Sequence, residues 1–370
     1  MVDLASQYRR LQPEMDQAMK AVLNSTAFIQ GPAIQQFQAA LEKYLDVPHV
    51  IPCANGTDAL QLAFMALELQ PGDEVIVPTF TYIATVEVLA LLRLKPILVD
   101  VDPQTFNLDI TQVESVISAR TKAIVPVHLF GQCANTEPLL EIAKKHNLFV
   151  IEDAAQALGT DYIFANGKKQ KAGTLGIIGC TSFFPSKNLG CYGDGGALFT
   201  ANEKLARKLK AIANHGQREK YKFEYVGINS RLDSLQAAVL NVKLPHLDHF
   251  NKTRQQVAAH YDSAFSKHPF LTIPHRSTYS THTFHQYTLQ VGNQQRDALK
   301  EHLLQHNVPC MIYYPFPVHS QPAYKDSRYP EGSFPVSEKL CKSVLSLPVH
   351  TEMDDEQLVH ITQTVLSFFR

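Results

Sequence analysis

No C-x-x-C pair occurs among the six scattered cysteines of this 370-residue sequence (Cys53, Cys133, Cys180, Cys191, Cys310, Cys341). That spacing offers neither a disulfide framework nor a zinc site, and it suits a reducing compartment. No charge of one sign dominates: 34 Lys and Arg face 35 Asp and Glu. No overall field is therefore left to draw in nucleic acid or an acidic membrane, and an anionic ligand has to be captured by local groups. Long apolar runs are missing too, because the most apolar stretch, 86–98, is interrupted by Arg93 and Lys95 and is too short to span a bilayer. The N-terminal MVDLASQYRR has no apolar core behind its charges and does not read as a secretory signal. Repeats of fixed period and low-complexity segments are absent as well. What remains is the composition of an ordinary globular protein, 45% hydrophobic and 19% charged. The expectation is a cytoplasmic chain of two or three domains that binds no nucleic acid, membrane or metal.

Two early helices are expected. Pro13 suits a first helical position ahead of Met15, Met19, Val22 and Leu23, and Gly31-Pro32 opens a helix carrying Phe37, Leu41 and Leu45 on one face. From about 49 to 214, apolar runs (VIPCA, EVIVP, PILVDVD, AIVPVHLF, LFVIEDAA, TSFF, GALFT) alternate with helical segments at 59–69, 83–92, 110–118 and 136–146. Continuous β-branched runs between helices predict a mainly parallel sheet covered on both faces, in a three-layer α/β/α domain. Ligands of such sheets gather at the carboxyl ends of the strands. Beyond this lie a long helical stretch (234–265), strands at 287–291 and 308–313, and helices at 296–306 and 354–368. The reading divides the chain into a large domain, 1–245, and a smaller α/β domain, 246–370.

Four constellations carry chemistry. In Cys53-Ala-Asn-Gly56-Thr57-Asp58 a strand turns into a helix, and such an N-terminus binds phosphate through free N–H groups and its dipole; Thr57 or Asp58 could instead simply cap the helix. In Phe149-Val-Ile-Glu152-Asp153-Ala-Ala-Gln156 a carboxylate stands at the end of an apolar run, where it needs a partner. A protonated pyridine nitrogen would serve, with Gln156 in reach of the ring's oxygen; capping of a following helix is the plain alternative for Asp153. In Thr181-Ser182-Phe-Phe-Pro-Ser-Lys187-Asn-Leu-Gly190 a single lysine sits in a glycine-rich loop. Its amine could form a Schiff base if burial or cationic neighbours deprotonate it, and Ser182 could donate to a phosphate. A loop lysine is otherwise a solvated charge. The fourth runs from His215 through Tyr221 to Gly227-Ile-Asn229-Ser-Arg231, a polar, basic segment suited to covering phosphates or to being a surface loop. Phosphate cradle, pyridine partner, amine and cover are together what a phosphorylated pyridine aldehyde requires.

The blocks NGTDAL, EDAAQ, SFFPSKNLG, YGDGGA, HGQ, GINSRLDSLQAA and LSLPVH, in this order, resemble the DegT/StrS sugar-nucleotide aminotransferases of pyridoxal-phosphate fold type I over nearly the whole chain. The resemblance implies a pyridoxal 5'-phosphate (PLP) enzyme, with PMP as the intermediate form, that moves an amino group from L-glutamate to the keto sugar of a nucleotide sugar, leaving 2-oxoglutarate. It implies that Lys187 is the Schiff-base lysine and later proton carrier, Asp153 the partner of the pyridine nitrogen, and Gln156 the partner of the ring hydroxyl. Gly56, Thr57 and Ser182 would hold the phosphate and Tyr82 would stack on the ring. It further implies a homodimer with shared active sites, in which Asn229 reaches the neighbouring subunit's phosphate while Arg231, His215 and Tyr221 meet the sugar nucleotide.

Within the family, CANGTDALQ, SFFPSKNLGCYGDGGA and VGINSRLDSLQAA look most like the enzymes that aminate C3 of UDP-2-acetamido-2-deoxy-3-oxo-glucuronate for bacterial O-antigen lipopolysaccharide. Their pattern has histidine where this chain has Tyr313, a departure that bears on the substrate; Tyr314 and His319 are further candidate sugar contacts, or packing of a Pro-rich loop. Two rival readings stand beside this one. Family dehydratases replace the lysine with histidine, which Lys187 argues against. A non-catalytic regulator would have no use for lysine, aspartate and glutamine together.

Overall fold

Alternation along each strand decides which layer a side chain joins. The computed structural model describes all residues, Met1–Arg370. Its main sheet has seven strands: β1 (His49–Cys53), β2 (Glu74–Pro78), β3 (Lys95–Val99), β4 (Thr121–Ile124), β5 (Phe149–Asp153), β6 (Ile178–Ser182) and β7 (Gly196–Thr200). They lie in the order β1-β7-β6-β5-β4-β2-β3, parallel from β6 to β3, with β7 antiparallel to both of its neighbours. One face sends Ile51, Val75, Val77, Leu98, Ala123, Ile151, Ile178 and Leu198 into a core with helices Gly56–Ala66, Ala84–Leu91 and Glu203–Ile212. On the other face Ile76, Ile97, Ile124 and Val150 meet Leu139 and Ala143 of helix Thr136–His146, while Val50, Ala197 and Phe199 meet Phe37, Leu41 and Leu45 of helix Pro32–Leu45. Burial on both faces is why these strands read as unbroken apolar runs. The α/β/α layering is the fold expected from the sequence.

A third core belongs to the C-terminal part. There a three-stranded sheet (Leu271–Thr272, Tyr287–Val291, Val344–Leu347) packs against helices Leu247–Phe265, Arg296–Gln305 and Asp355–Ser367. Helix Leu247–Phe265 serves two cores, through Leu247 and Phe250 at one end and Val257, Tyr261 and Phe265 at the other. Segment 313–336 leaves that part and returns over the main sheet, where Val318 and Phe334 join the large core and the Val318 N–H donates to the Thr79 carbonyl at 2.9 Å.

Four local expectations are corrected. Pro13 lies inside helix Leu4–Ser25, because Asp3 caps the helix by accepting from the Ser6 N–H, and Leu23 is 53% exposed. The 234–265 stretch breaks into Ser234–Lys243 and Leu247–Phe265 around Pro245, which cannot donate to the helical ladder. No strand forms at 308–313, where only Met311 bridges to Ser346. Helix Pro335–Ser343, unforeseen, starts on Asp100, whose carboxylate accepts from the Val336 and Ser337 N–H groups at 2.9 Å each.

Candidate active site

The site residues stand where parallel strands end. Asp153 is the last residue of β5 and is 7% exposed. No helix follows it, so the capping alternative falls away: 154–158 form turns, and Ala155 N–H donates to Oδ1 at 3.2 Å. Oδ2 accepts from the Thr85 hydroxyl at 2.9 Å. Thr85 is fully buried in the first turn of helix Ala84–Leu91. Nothing in the sequence singles it out beyond its place just after PTFTY.

Lys187 lies in the turn after β6. Its N–H donates to the Phe184 carbonyl at 2.8 Å, and Cys191 N–H returns to the Phe183 carbonyl at 2.8 Å. A side chain at Gly190 would stand 2.3 Å from the Pro185 carbonyl oxygen, so only glycine lets this loop close. Phe183 anchors the loop edge-on against Phe37, and the buried Lys243 amine donates to the Gly190 carbonyl at 2.8 Å. Burial pulls the Lys187 amine down to about 8, against the opposing pull of the Asp153 charge. A solvated loop charge, the plain alternative in the sequence, would feel no such burial. In the field of this amine stands His285, 6% exposed, which burial first and the Lys187 and Arg254 charges second keep neutral. Its Nδ1 has no partner.

The helix mouth expected to cradle a phosphate is shaped by Asn55, and neither Thr57 nor Asp58 is its cap. Asn55 caps helix Gly56–Ala66 by accepting from Asp58 N–H at 2.7 Å, which leaves the Gly56 and Thr57 N–H groups at the helix mouth. A Cβ on Gly56 would lie 2.7 Å from Cβ of Ser182, and one on Gly196 would lie 2.4 Å from the Asn55 carbonyl. The glycines thus bring the helix mouth directly onto Ser182 at the end of β6. Gln156 accepts from Phe130 N–H at 2.8 Å and donates from Nε2 to the Tyr314 hydroxyl at 3.0 Å, leaving one amide N–H uncommitted. The Tyr314 ring sits among Phe80, Phe130 and Tyr82. Tyr82 itself is 59% exposed. These features fit a flat phosphorylated ring: an anion site at a helix mouth, an amine of low basicity, and a carboxylate already held by other donors.

Behind Asp153, Glu152 is fully buried and accepts four hydrogen bonds, from Gly173, Leu175 and Gly176 N–H and from His128 Nε2. His128 Nδ1 accepts from Ala134 N–H, so the proton facing Glu152 is on Nε2, and His128 N–H donates to the Asp153 carbonyl at 2.9 Å. Glu152 belongs to the EDAAQ block, but only the fold shows what it holds.

The remaining candidates stand apart. Arg231 donates twice to Asn214 Oδ1, at 2.6 and 3.2 Å, and Asn229 bridges to the same residue. His215 opens a short hairpin (Gln217–Glu219 with Lys222–Phe223) whose tip carries Tyr221, 78% exposed. None of these four hydrogen-bonds to Lys187, Asp153 or Gln156 within the chain. Tyr313 packs beside Phe80 and Phe130 in a small cluster. His319 is 4% exposed and both ring nitrogens are engaged, with Thr79 Oγ1 and Glu338 Oε1 at 3.1 Å each, which favours the packing alternative over a sugar contact.

The pattern of the DegT/DnrJ/EryC1/StrS aminotransferase family matches residues 9–366. A "pleiotropic regulatory protein" of Geobacillus stearothermophilus is 42% identical over 100% of this chain and 98% of its own. The UDP-2-acetamido-2-deoxy-3-oxo-D-glucuronate aminotransferase of Pseudomonas aeruginosa is 43% identical over 95% of each chain. Among solved structures, S. venezuelae DesV in complex with a ketimine intermediate superposes with a TM-score of 0.95, 38% identity, and coverage of 99% of this chain and 97% of that one.

Proposed function

Because the chain belongs to the DegT/DnrJ/EryC1/StrS aminotransferase family, we propose that its nucleotide-sugar aminotransferase activity runs on pyridoxal 5'-phosphate held by Lys187. The observation that carries this reading is the Lys187 amine, brought down by burial to about 8 and within the field of Asp153 at the ends of β5 and β6. When bound, the cofactor supplies an aldehyde for amines and a ring that withdraws electrons. The protein supplies the rest. The Gly56 and Thr57 N–H groups and the Ser182 hydroxyl bind the phosphate, and Tyr82 covers the ring face. The free amide N–H of Gln156 faces the ring oxygen, and Asp153 holds the ring nitrogen protonated. Lys187, partly neutral near physiological pH, takes a proton at Nζ and returns it to the neighbouring carbon.

L-Glutamate is the amino donor in this proposal, and the acceptor is a 3-oxo sugar on UDP of the kind named for the Pseudomonas relative. Tyr313 and Tyr314 border the sugar. The active unit is a homodimer in which Asn229, Arg231, His215 and Tyr221 act across the interface. Their lack of any hydrogen bond to the Lys187 centre within one chain, and the exposed Tyr221, Phe223 and Val226 around the hairpin, support that arrangement.

The test uses cofactor-loaded protein. Glutamate should bleach the visible band and release 2-oxoglutarate, and amino sugars on UDP or dTDP offered with 2-oxoglutarate should yield glutamate with one of them. A band that survives excess glutamate refutes the proposal. A regulatory role is the second reading, carried by the name of the Geobacillus relative; a Lys187→Ala protein with undiminished biological effect would establish it.

A further inference from the structure

We propose that Thr85 is a positioning residue of the reaction, its hydroxyl holding the Asp153 carboxylate in the plane that meets the ring nitrogen; this rests on the site reading above. Thr85 is fully buried, and its Oγ1 lies 2.9 Å from Asp153 Oδ2, a contact 68 positions apart in sequence. Threonines inside helices commonly bond back to a carbonyl one turn earlier. This one turns its hydroxyl to the carboxylate instead.

The donor order follows from chemistry. A carboxylate only accepts, so the Thr85 proton points to Asp153. The Thr81 hydroxyl, 3.3 Å from Thr85 Oγ1 and itself 5% exposed, must then be the donor in that pair. The result is a buried relay, Thr81 to Thr85 to Asp153, in which each bond polarises the next.

The end torsion of an aspartate is broad and soft. Ala155 N–H at 3.2 Å holds Oδ1 from the aspartate's own turn and leaves the carboxylate free to swing. Thr85 holds the other oxygen from a different element, the helix after β2, and its β-branch restricts its own rotamers. With one donor on each oxygen, lone pairs remain on both for the ring nitrogen. A second fixed point is what converts a nearby carboxylate into an oriented one.

The experiment compares Thr85→Val, which keeps the shape without the donor, with Thr85→Ser, which keeps the donor. Three readouts apply: the cofactor dissociation constant of apo protein, the pH midpoint at which the visible band of the loaded protein changes, and kcat against KM for the glutamate half-reaction. Thr85→Val should shift the band midpoint and lower kcat about tenfold, the loss of one hydrogen bond to a charged group, with KM within about threefold. Thr85→Ser should stay within about threefold of the parent in all three. A Thr85→Val protein with the parental midpoint and kcat overturns the inference, as does a Ser variant that loses as much as Val. If Thr85→Val does not fold, Thr81→Val takes its place: a shift of the same sign and smaller size supports the relay, and no shift overturns it. Asp153→Asn separates the two levels. If it moves the midpoint while Thr85→Val does not, the Thr85 inference alone fails; if Asp153→Asn moves nothing, the reading of the site fails with it.

Discussion

At about pH 7.5 a lysine amine of ordinary basicity is neutral in only about one molecule in a thousand. With Lys187 brought down to about 8, roughly a quarter of the amines are neutral at that pH, an advantage of about 200-fold in reactive species. The rate at which apo protein captures pyridoxal phosphate should therefore climb about tenfold per pH unit below 8 and level off above it. The sign follows from the cause: burial disfavours the ammonium, so the neutral form gains. The Asp153 carboxylate opposes this by favouring the charge, so Asp153→Asn should move the inflection to lower pH. The assay is stopped-flow appearance of the visible band from about pH 6 to 10, with a free lysine derivative as reference for the cofactor's own titrations. A rate that keeps rising through about pH 10, or an inflection that moves up in Asp153→Asn, would show that burial does not control this amine.

Three further outcomes follow from the packing. Gly56→Ala puts a methyl 2.7 Å from Ser182 Cβ, and overpacking of about 1–3 kcal/mol at the helix mouth should appear as at least about fivefold weaker cofactor binding in equilibrium dialysis; an unchanged constant would mean the helix mouth is not the cradle. Glu152→Gln sets an amide NH₂ against groups that are all donors. It should lower stability by about 3 kcal/mol in urea titrations, and a loss under about 1 kcal/mol would show that the network is slack. Lys187→Ala and Asn229→Ala proteins, each inactive, should regain about a quarter of parental activity when unfolded and refolded together, because a mixed dimer keeps one intact site. No recovery would refute sites shared between subunits.

Much of this is legible before folding because it is written locally. Two-sided burial leaves unbroken apolar runs, and these mark all seven strands of the main sheet. The motif blocks set distinctive residue types at short fixed spacings, so Lys187, Asp153, Gly56 and Ser182 stand out as candidates from spacing and resemblance. Misreadings arise where a distant partner or a breaker decides. The pattern puts Pro13 at a helix start because the Asp3 cap lies well upstream, ahead of turns with little apolar periodicity, and it hides the break at Pro245 inside a helical run. For His319 the sequence leaves sugar contact and loop packing both open, because neither Thr79 nor Glu338 is near it in sequence.

By itself, then, the order of residues determined the layered sheet, the glycines that let chain segments touch, and the choice of Lys187 and Asp153 as the candidate pair for a pyridine ring. Folding alone decided how those groups behave. Desolvation of the Lys187 amine, the grip of Thr85 on Asp153 and the four donors around Glu152 join residues tens of positions apart. Such contacts leave no periodicity and no spacing behind, because a hydrogen bond or a lost hydration shell depends on distance in space and not on separation along the chain.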